Sequence, residues 1–286
     1  MNAKDWLEKA KREKFAIGAF NVGNLETFKA VVQAASSKKS PVIIESSPGE
    51  TDWMGADNIV DLAKNYSSDY QVPILVNLDH ATSFEDCQKG IEAGYDLIHC
   101  DGSKLPLEEN IQLTKRVADL AHSYNLTCEG ELDHIGGSSE VHQGSAGEEA
   151  AKVEMTNPQK ALEFVSQTGI DVFAAFVGNV HGLYLSQEKK LDIDRLREIA
   201  SKTGVFLSLH GSSGISEEQV RQAIENGIVK VNLNTEIRQA YKDTLEQILK
   251  DNPNEYAMYK SEQPLIDKIK ALVEYKIDLF GSAGKG

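Results

Sequence analysis

Short apolar runs alternate with longer amphipathic stretches along the whole chain. The apolar runs are Ile17–Phe20, Val42–Ile44, Ile74–Leu78, Leu97–Cys100, Leu126–Leu132, Val172–Val177, Val205–Leu209 and Ile228–Leu233. They read as buried parallel strands, which lack the in–out alternation of a half-exposed sheet. Between them, apolar residues recur at helical spacing. Leu25, Phe28, Val31, Val32 and Ala35 show it first. Phe84–Ala93, Ile111–His122, Gln159–Gln167, Ile193–Ser201, Glu217–Glu225 and Glu236–Leu249 repeat it. Gly94, Gly169, Gly204 and Gly227 each stand between a helix pattern and a strand, where a left-handed residue ends a helix.

Eight strands alternating with helices predict an α/β fold, a (β/α)8 TIM barrel. A doubly wound open sheet is the alternative, but usually has fewer strands at this length. Glu236–Leu249 and Pro264–Leu279 add C-terminal helices, expected outside the barrel or against a partner subunit. No Pro/Ser-rich linker breaks the pattern, so residues 1–286 read as one domain.

Composition narrows the function. Apolar residues at 41% and 22 glycines describe an ordinary globular chain. Thirty basic against 44 acidic residues leave a net charge of −14. That argues against nucleic acid and anionic membranes, which select basic surfaces. A phosphorylated small molecule stays possible, because backbone N–H nests bind phosphate locally. Cys87, Cys100 and Cys128 form no CxxC pair and no disulfide framework, which fits a reducing compartment. Met1–Lys14 is charged and helical in pattern, and no stretch approaches the roughly 20 apolar residues of a membrane span. A soluble, cytoplasmic protein is expected.

The strand ends carry the chemistry. At or just beyond their C-terminal ends stand Asn21, Ser47, Asp79 and His80, Asp101, Glu131, Asn179 to His181, His210 and Asn232. A barrel's active site sits on that face, and stability does not require such a ring. His80, His181 and His210 are three imidazoles that together suit a catalytic zinc site with an open position; each taken singly is more often a hydrogen-bonded structural residue. Asp79 can stay ionised beside a cation and move a proton; its bland alternative is a helix cap, a role better filled by Ser83 or Thr82. Asp101 and Glu131 can orient the imidazoles or hold a second cation.

Two further segments bear on binding. His210-Gly211-Ser212-Ser213-Gly214 and Asn232-Leu233-Asn234-Thr235 follow strands seven and eight, where barrels often cradle phosphate. Asn234 and Thr235 also suit an ordinary N-cap. Gly136–Gly147, with four glycines and three serines in twelve residues, follows the fifth strand and reads as a lid. His134 and His142 flank it, and Glu140 lies within it. His122 suits a helix C-terminus. His99, inside the fourth strand, reads as a hydrogen-bonded core histidine, with a helix interface as the place it would point.

These residues resemble the class II, metal-dependent ketose-bisphosphate aldolases, the group of fructose- and tagatose-bisphosphate aldolases. The matching stretches are Ala19-Phe-Asn21, Leu78-Asp-His80, Asp101-Gly-Ser103, Glu129-Gly-Glu131-Leu132, Gly178-Asn-Val-His-Gly182, His210–Gly214, Lys230–Glu236 and Phe280–Lys285. The resemblance implies one Zn2+ on His80, His181 and His210. It implies reversible cleavage of a ketose (bis)phosphate to dihydroxyacetone phosphate and an aldehyde, with zinc stabilising the enediolate. Asp79 would exchange the C4-hydroxyl proton. Gly182, Gly211, Ser213, Asn234 and Thr235 would bind phosphate, with Asn21, Ser47, Ser212 and Asn232 at the substrate. Backbone around Val180, Gly182 and Gly211 would suit Na+ or K+. A homodimer or homotetramer would be the assembly.

Two positions depart from the family. Ser139 stands where the lid glutamate is expected, which leaves Glu140 or His142 as the C3 proton carrier. Tyr259 stands where an arginine would reach a distal phosphate. At this point a metal-dependent hydrolase or epimerase, and a non-catalytic sugar-phosphate-binding protein, remain alternatives.

Overall fold

The apolar runs close on themselves in the computed structural model, which describes residues 1–286. In chain order the strands are β1 (Ile17–Asn21), β2 (Val42–Ser46), β3 (Ile74–Ala81), β4 (Leu97–Cys100), β5 (Thr127–Glu131), β6 (Val141–His142), β7 (Val172–Ala174), β8 (Leu183–Tyr184), β9 (Phe206–Leu209) and β10 (Ile228–Leu233). Eight of them form a closed parallel barrel in the order β1-β10-β9-β7-β5-β4-β3-β2. The two-residue β6 and β8 pair separately above it. This is the expected (β/α)8 barrel, with helices Thr235–Asp251 and Gln263–Phe280 at its C-terminal end. The last helix buries Leu265, Ile269, Val273 and Ile277 and packs on helices Leu25–Lys38 and Thr235–Asp251. No helix is long and apolar enough to cross a membrane.

The barrel interior is layered by chemistry. At the N-terminal end, Ile17, Ile43, Leu75, Leu97, Val172, Phe206 and Val229 form an apolar plug. Helix Ala3–Glu13 seals it with Trp6, Leu7 and Ala10, and an Asn2–Asp5 capping box fixes where that helix starts. One layer higher the buried side chains turn polar: Glu45, Asn77, His99, Glu129, Ser208 and Lys230. Register pairs Glu45 with Asn77, His99 with Glu129, and Lys230 with Ser208. Lys230 Nζ lies 2.9 Å from Glu45 and 2.8 Å from Glu129. The strand-end residues stand above this layer.

Several boundaries differ from the sequence expectation. The strand expected over Val172–Val177 stops at Ala174, because Val177 N–H bonds to the Asn179 side chain instead of a neighbouring strand. Helices Pro48–Met54 and Ala56–Tyr70 fill a segment whose helical pattern the sequence reading missed. Gly94, Gly169 and Gly204 end their helices in the left-handed conformation as expected. The helix before Gly227 closes one residue earlier, at Asn226.

Candidate active site

A bulge at the end of β3 builds the centre of the site. From Leu78 to Ala81 the strand takes three steps while its partner takes two, from Ile98 to Cys100. The extra residue lets neighbours Asp79 and His80 line one cavity rather than opposite faces. His80 takes a φ of 52°, a left-handed conformation that costs a non-glycine residue energy. Its displaced N–H donates to His99 Nδ1 at 3.2 Å. His99 is therefore a hydrogen-bonded core histidine as expected, but it does not face a helix interface. It lies inside the barrel, its ring 4.5 Å from that of His80 and 4.8 Å from that of His210. The inward phase of β4 decides this, and a single buried histidine in an apolar run does not reveal that phase.

In each of the three strand-end histidines one ring nitrogen donates to a fixed acceptor. His80 Nδ1 donates to Asp101 at 2.8 Å. His210 Nε2 donates to Glu129 at 2.7 Å, and His181 Nδ1 donates to the Ile135 carbonyl at 3.0 Å. Carboxylates and carbonyls only accept, so the protons sit on those nitrogens and the lone pairs sit on the others. His80 Nε2 and His210 Nδ1 then face each other at 3.0 Å, where a proton on His80 or a cation must lie between them, and Asn232 Nδ2 also approaches His210 Nδ1 at 3.3 Å. The His181 ring lies 5.0 Å from His80 and 6.2 Å from His210, centre to centre.

Of these three rings, His80 and His210 bring donor atoms into one group that fits a divalent cation, and His181 stands outside that group. Nitrogens on a tetrahedral ion at 2.0–2.1 Å are separated by about 3.3 Å. A hydrogen bond from each ring's other nitrogen to a carboxylate or carbonyl is the usual support of metal-bound histidine. Asp79, His80, His99 and His210 offer donor atoms within 4.8 Å of one another, and His80, Asp101 and Glu131 form a second, overlapping group. Glu131 Oε2 is buried without a hydrogen-bond partner. Burial opposes a charge on His80, yet Asp79, Asp101 and Glu131 overcome it and push the imidazole up to about 10. A proton there answers the same surplus of negative charge that a metal ion would.

Asp79 is held as an anion. Its carboxylate accepts from Asn21 Nδ2 at 3.1 Å and from Asn232 Nδ2 at 3.3 Å. Burial raises its pKa, but nearby His80, His99, His210 and Lys230 reverse this and leave it well below the usual range. Burial and the Asp101 charge push Glu131 the other way, to about 7.

The opposite wall is made of small residues. Gly182, Gly211, Ser212, Ser213, Asn234 and Thr235 line the cavity with Asn21, Asn232 and Ser139, and no apolar side chain joins them. Asn234 makes no capping bond to helix Thr235–Asp251, so its side chain is not spent as an N-cap. Its Oδ1 and that of Asn232 are buried without partners. Gly211 has φ 60°, and a Cβ there would stand 2.5 Å from the Val180 carbonyl. Behind this wall Lys189, only 3% exposed, donates to the carbonyls of Gly182, Gly211 and Ser213 at 2.6, 2.7 and 2.5 Å.

The glycine-rich segment lies over the cavity. His181 N–H donates to Gly136 O, Leu183 N–H to Glu140 O and Leu185 N–H to His142 O, which lays β6 on β8. Ser139 lines the cavity; Glu140 is exposed and accepts from Ser138 Oγ at 3.3 Å. His142 stacks on Tyr184, ring centres 4.7 Å apart. Under this cover the cavity keeps ≈30 Å³, about the share of one water molecule.

Three sequence-selected residues lie elsewhere. Ser47 caps helix Pro48–Met54 through a capping box with Glu50 and does not line the cavity. His122 pairs with Asp171 at 2.8 Å on the outside. Tyr259 is exposed in a groove with Glu26, Tyr66 and Tyr70. Conversely, sequence reasoning missed Glu45, Glu129, Lys230 and Lys189. The signal for Glu129 and Lys230 was a charged residue inside an apolar strand run, and Glu45 directly follows such a run.

Residues 1–285 match the family described as fructose-bisphosphate aldolase class-II. The chain is 38% identical over 288 residues to a fructose-bisphosphate aldolase of Geobacillus stearothermophilus, covering 100% of this chain and 98% of the relative. It is 35% identical to the D-tagatose-1,6-bisphosphate aldolase subunit GatY of Klebsiella oxytoca, with 100% and 99% covered. The crystal structure of the YdjI aldolase from Escherichia coli K12 superposes with a TM-score of 0.85 at 31% identity, covering 99% and 98%. The chain belongs to the class II fructose-bisphosphate aldolase family. It is an aldolase, a lyase acting on carbon–carbon bonds.

Proposed function

We propose that this chain reversibly cleaves a ketose (bis)phosphate into dihydroxyacetone phosphate and an aldehyde, with Zn2+ on His80, His181 and His210. The observation that carries it is the 3.0 Å approach of His80 Nε2 to His210 Nδ1, where a positive charge must lie, beside an ionised Asp79 and opposite a wall of small residues. When bound, the cation supplies a Lewis acid for the ketone and for the negative charge that develops on the ketone half.

The chain's own residues do the rest. Asp79 takes the proton of the C4 hydroxyl as the C3–C4 bond breaks and returns it in the reverse direction. Asn21 and Asn232 fix its carboxylate, and the free Oδ1 of Asn232 meets a substrate hydroxyl. Gly182, Gly211, Ser212, Ser213, Asn234 and Thr235 hold the phosphate. Glu140 carries the C3 proton after the lid opens to admit substrate and closes again in a shifted register; the ≈30 Å³ under the present cover admits no sugar phosphate. Asp101 and Glu131 orient His80 or hold the ion in an alternative position. The sugar specificity of the relatives, fructose or tagatose bisphosphate, defines the first substrates to try. A homodimer or homotetramer in the cytoplasm belongs to the same reading.

The test is release of dihydroxyacetone phosphate from a panel of ketose phosphates, with and without chelator. Chelator-sensitive release supports the reading. Tight sugar-phosphate binding without release would point to a binding protein, and release unaffected by metal removal would overturn the metal assignment.

A further inference from the structure

We propose that the Lys189 ammonium is a built-in monovalent cation, filling a carbonyl cradle behind the phosphate wall so that this enzyme needs no added Na+ or K+. The family resemblance led us to expect a free monovalent ion near Val180, Gly182 and Gly211. That space does not fit one here, because a side chain already occupies it.

The geometry is that of ion coordination by backbone oxygens. The Lys189 Nζ reaches three carbonyls, Gly182 O, Gly211 O and Ser213 O, all within 2.7 Å. They come from the two loops after β7 and β9 that line the cavity. None of its hydrogen bonds goes to a carboxylate. Three acceptors need three N–H donors, and only the protonated amine has three. Carbonyl rings replace the water around K+ in the same way elsewhere.

Burying a positive charge among neutral acceptors is costly. Burial pushes the Lys189 ammonium down, to about 7, with Glu236 opposing and Lys276 adding to the effect. A structural lysine gains nothing from such a place. An anion on the far side of the Gly211–Ser212 peptide offsets the cost. Pinning the Gly211 carbonyl back toward Lys189 leaves the Ser212 N–H of the same peptide to the phosphate, while the N–H groups opposite the other two carbonyls, Leu183 and Gly214, donate to Glu140 O and to Glu236 Oε1. The lysine's own backbone is clamped: Gln219 donates to Lys189 O at 3.0 Å and accepts from Leu191 N–H at 2.7 Å. Lys189 is thus a positioning residue, since it acts through the loops and does not line the cavity.

The phosphate part of this inference rests on the function proposed above; the cation part does not. The experiment uses metal-loaded enzyme in choline chloride, NaCl, KCl or NH4Cl at equal ionic strength. It reads thermal melting and the affinity for inorganic phosphate by calorimetry. For the wild type both are expected to be indifferent to the cation. In Lys189→Met, phosphate affinity in choline is expected to fall roughly ten- to a hundred-fold, the worth of a charged hydrogen bond. K+ or NH4+ should restore most of it and raise the melting temperature of the variant alone. A wild type that gains several-fold in affinity or melts higher with K+ would overturn the proposal, even if the variant fails to fold. So would a variant weakened equally in every salt. If K+ stabilises the variant alone and neither protein binds phosphate, the cradle stands and the phosphate reading falls.

Discussion

His80 Nε2 and His210 Nδ1 face each other at 3.0 Å, while the other nitrogen of each ring donates to a carboxylate. Two lone pairs at that distance repel unless a proton or a cation lies between them. Asp101 and Glu129 thus do more than orient rings: by fixing which nitrogen carries hydrogen, they fix where positive charge must go.

Metal binding is therefore expected to displace a proton. Asp79, Asp101 and Glu131 outweigh burial and push His80 up to about 10, so the metal-free imidazole is charged at neutral pH. A ligand must be neutral to bind, so affinity should rise with pH below about 10. Calorimetric titration of Zn2+ at neutral pH, in buffers of different ionisation enthalpy, should show release of about one proton per ion from this histidine. No release would mean that His80 is already neutral.

Asp79→Asn should separate chemistry from metal binding. The amide cannot take a proton, yet it preserves shape beside Asn21 and Asn232. We expect kcat to fall roughly 10²- to 10⁴-fold, with bound metal unchanged by elemental analysis. The pKa of Asp79 is depressed, so it contributes stability above the unfolded value that is lost as pH falls toward the lower folded one. Asp79→Asn should accordingly flatten the acid side of the stability profile. Loss of metal in this variant would recast Asp79 as a ligand.

The lid supplies a third expectation. Ser139 lines the cavity and Glu140 is exposed, so proton transfer by Glu140 requires the lid to move. Glu140→Gln should lower kcat by about 10²-fold or more with little change in KM. It should also slow exchange of the C3 proton of dihydroxyacetone phosphate with solvent, followed by NMR. Ordinary exchange would remove Glu140 from the reaction and leave His142, stacked on Tyr184, as the candidate.

Beneath the site, Lys230 bridges Glu45 and Glu129 at 2.9 and 2.8 Å with all three side chains fully buried. Lys230→Met leaves two buried carboxylates without their cation. A loss of about 3–5 kcal/mol is expected in denaturant unfolding. Glu129 also holds His210, so metal affinity should weaken as well. Unchanged stability would show that Glu45, which burial pushes up to about 7, simply takes a proton instead.

The barrel and its top face were legible because their signals repeat: eight apolar runs, each ending in a polar residue. The layer below was not. Glu129 and Lys230 sit inside apolar runs and Glu45 directly follows one, and only barrel closure turns the three toward one axis. The sharing of one cavity by Asp79 and His80 depends on a one-residue bulge, which ordinary strand alternation hides. Lys189 was invisible for another reason. It lies in an irregular segment, Ser186 to Lys190, where a lysine reads as surface, and its burial comes from loops more than twenty residues away.

X-ray absorption at the zinc edge, on protein reloaded with one equivalent of Zn2+, tests the centre of this account most directly. Three imidazole nitrogens at about 2.0–2.1 Å are expected, with one imidazole lost in each of His80→Ala, His181→Ala and His210→Ala. A wild-type spectrum of carboxylate oxygens with one imidazole or none, or a spectrum unmoved by His181→Ala, would contradict it.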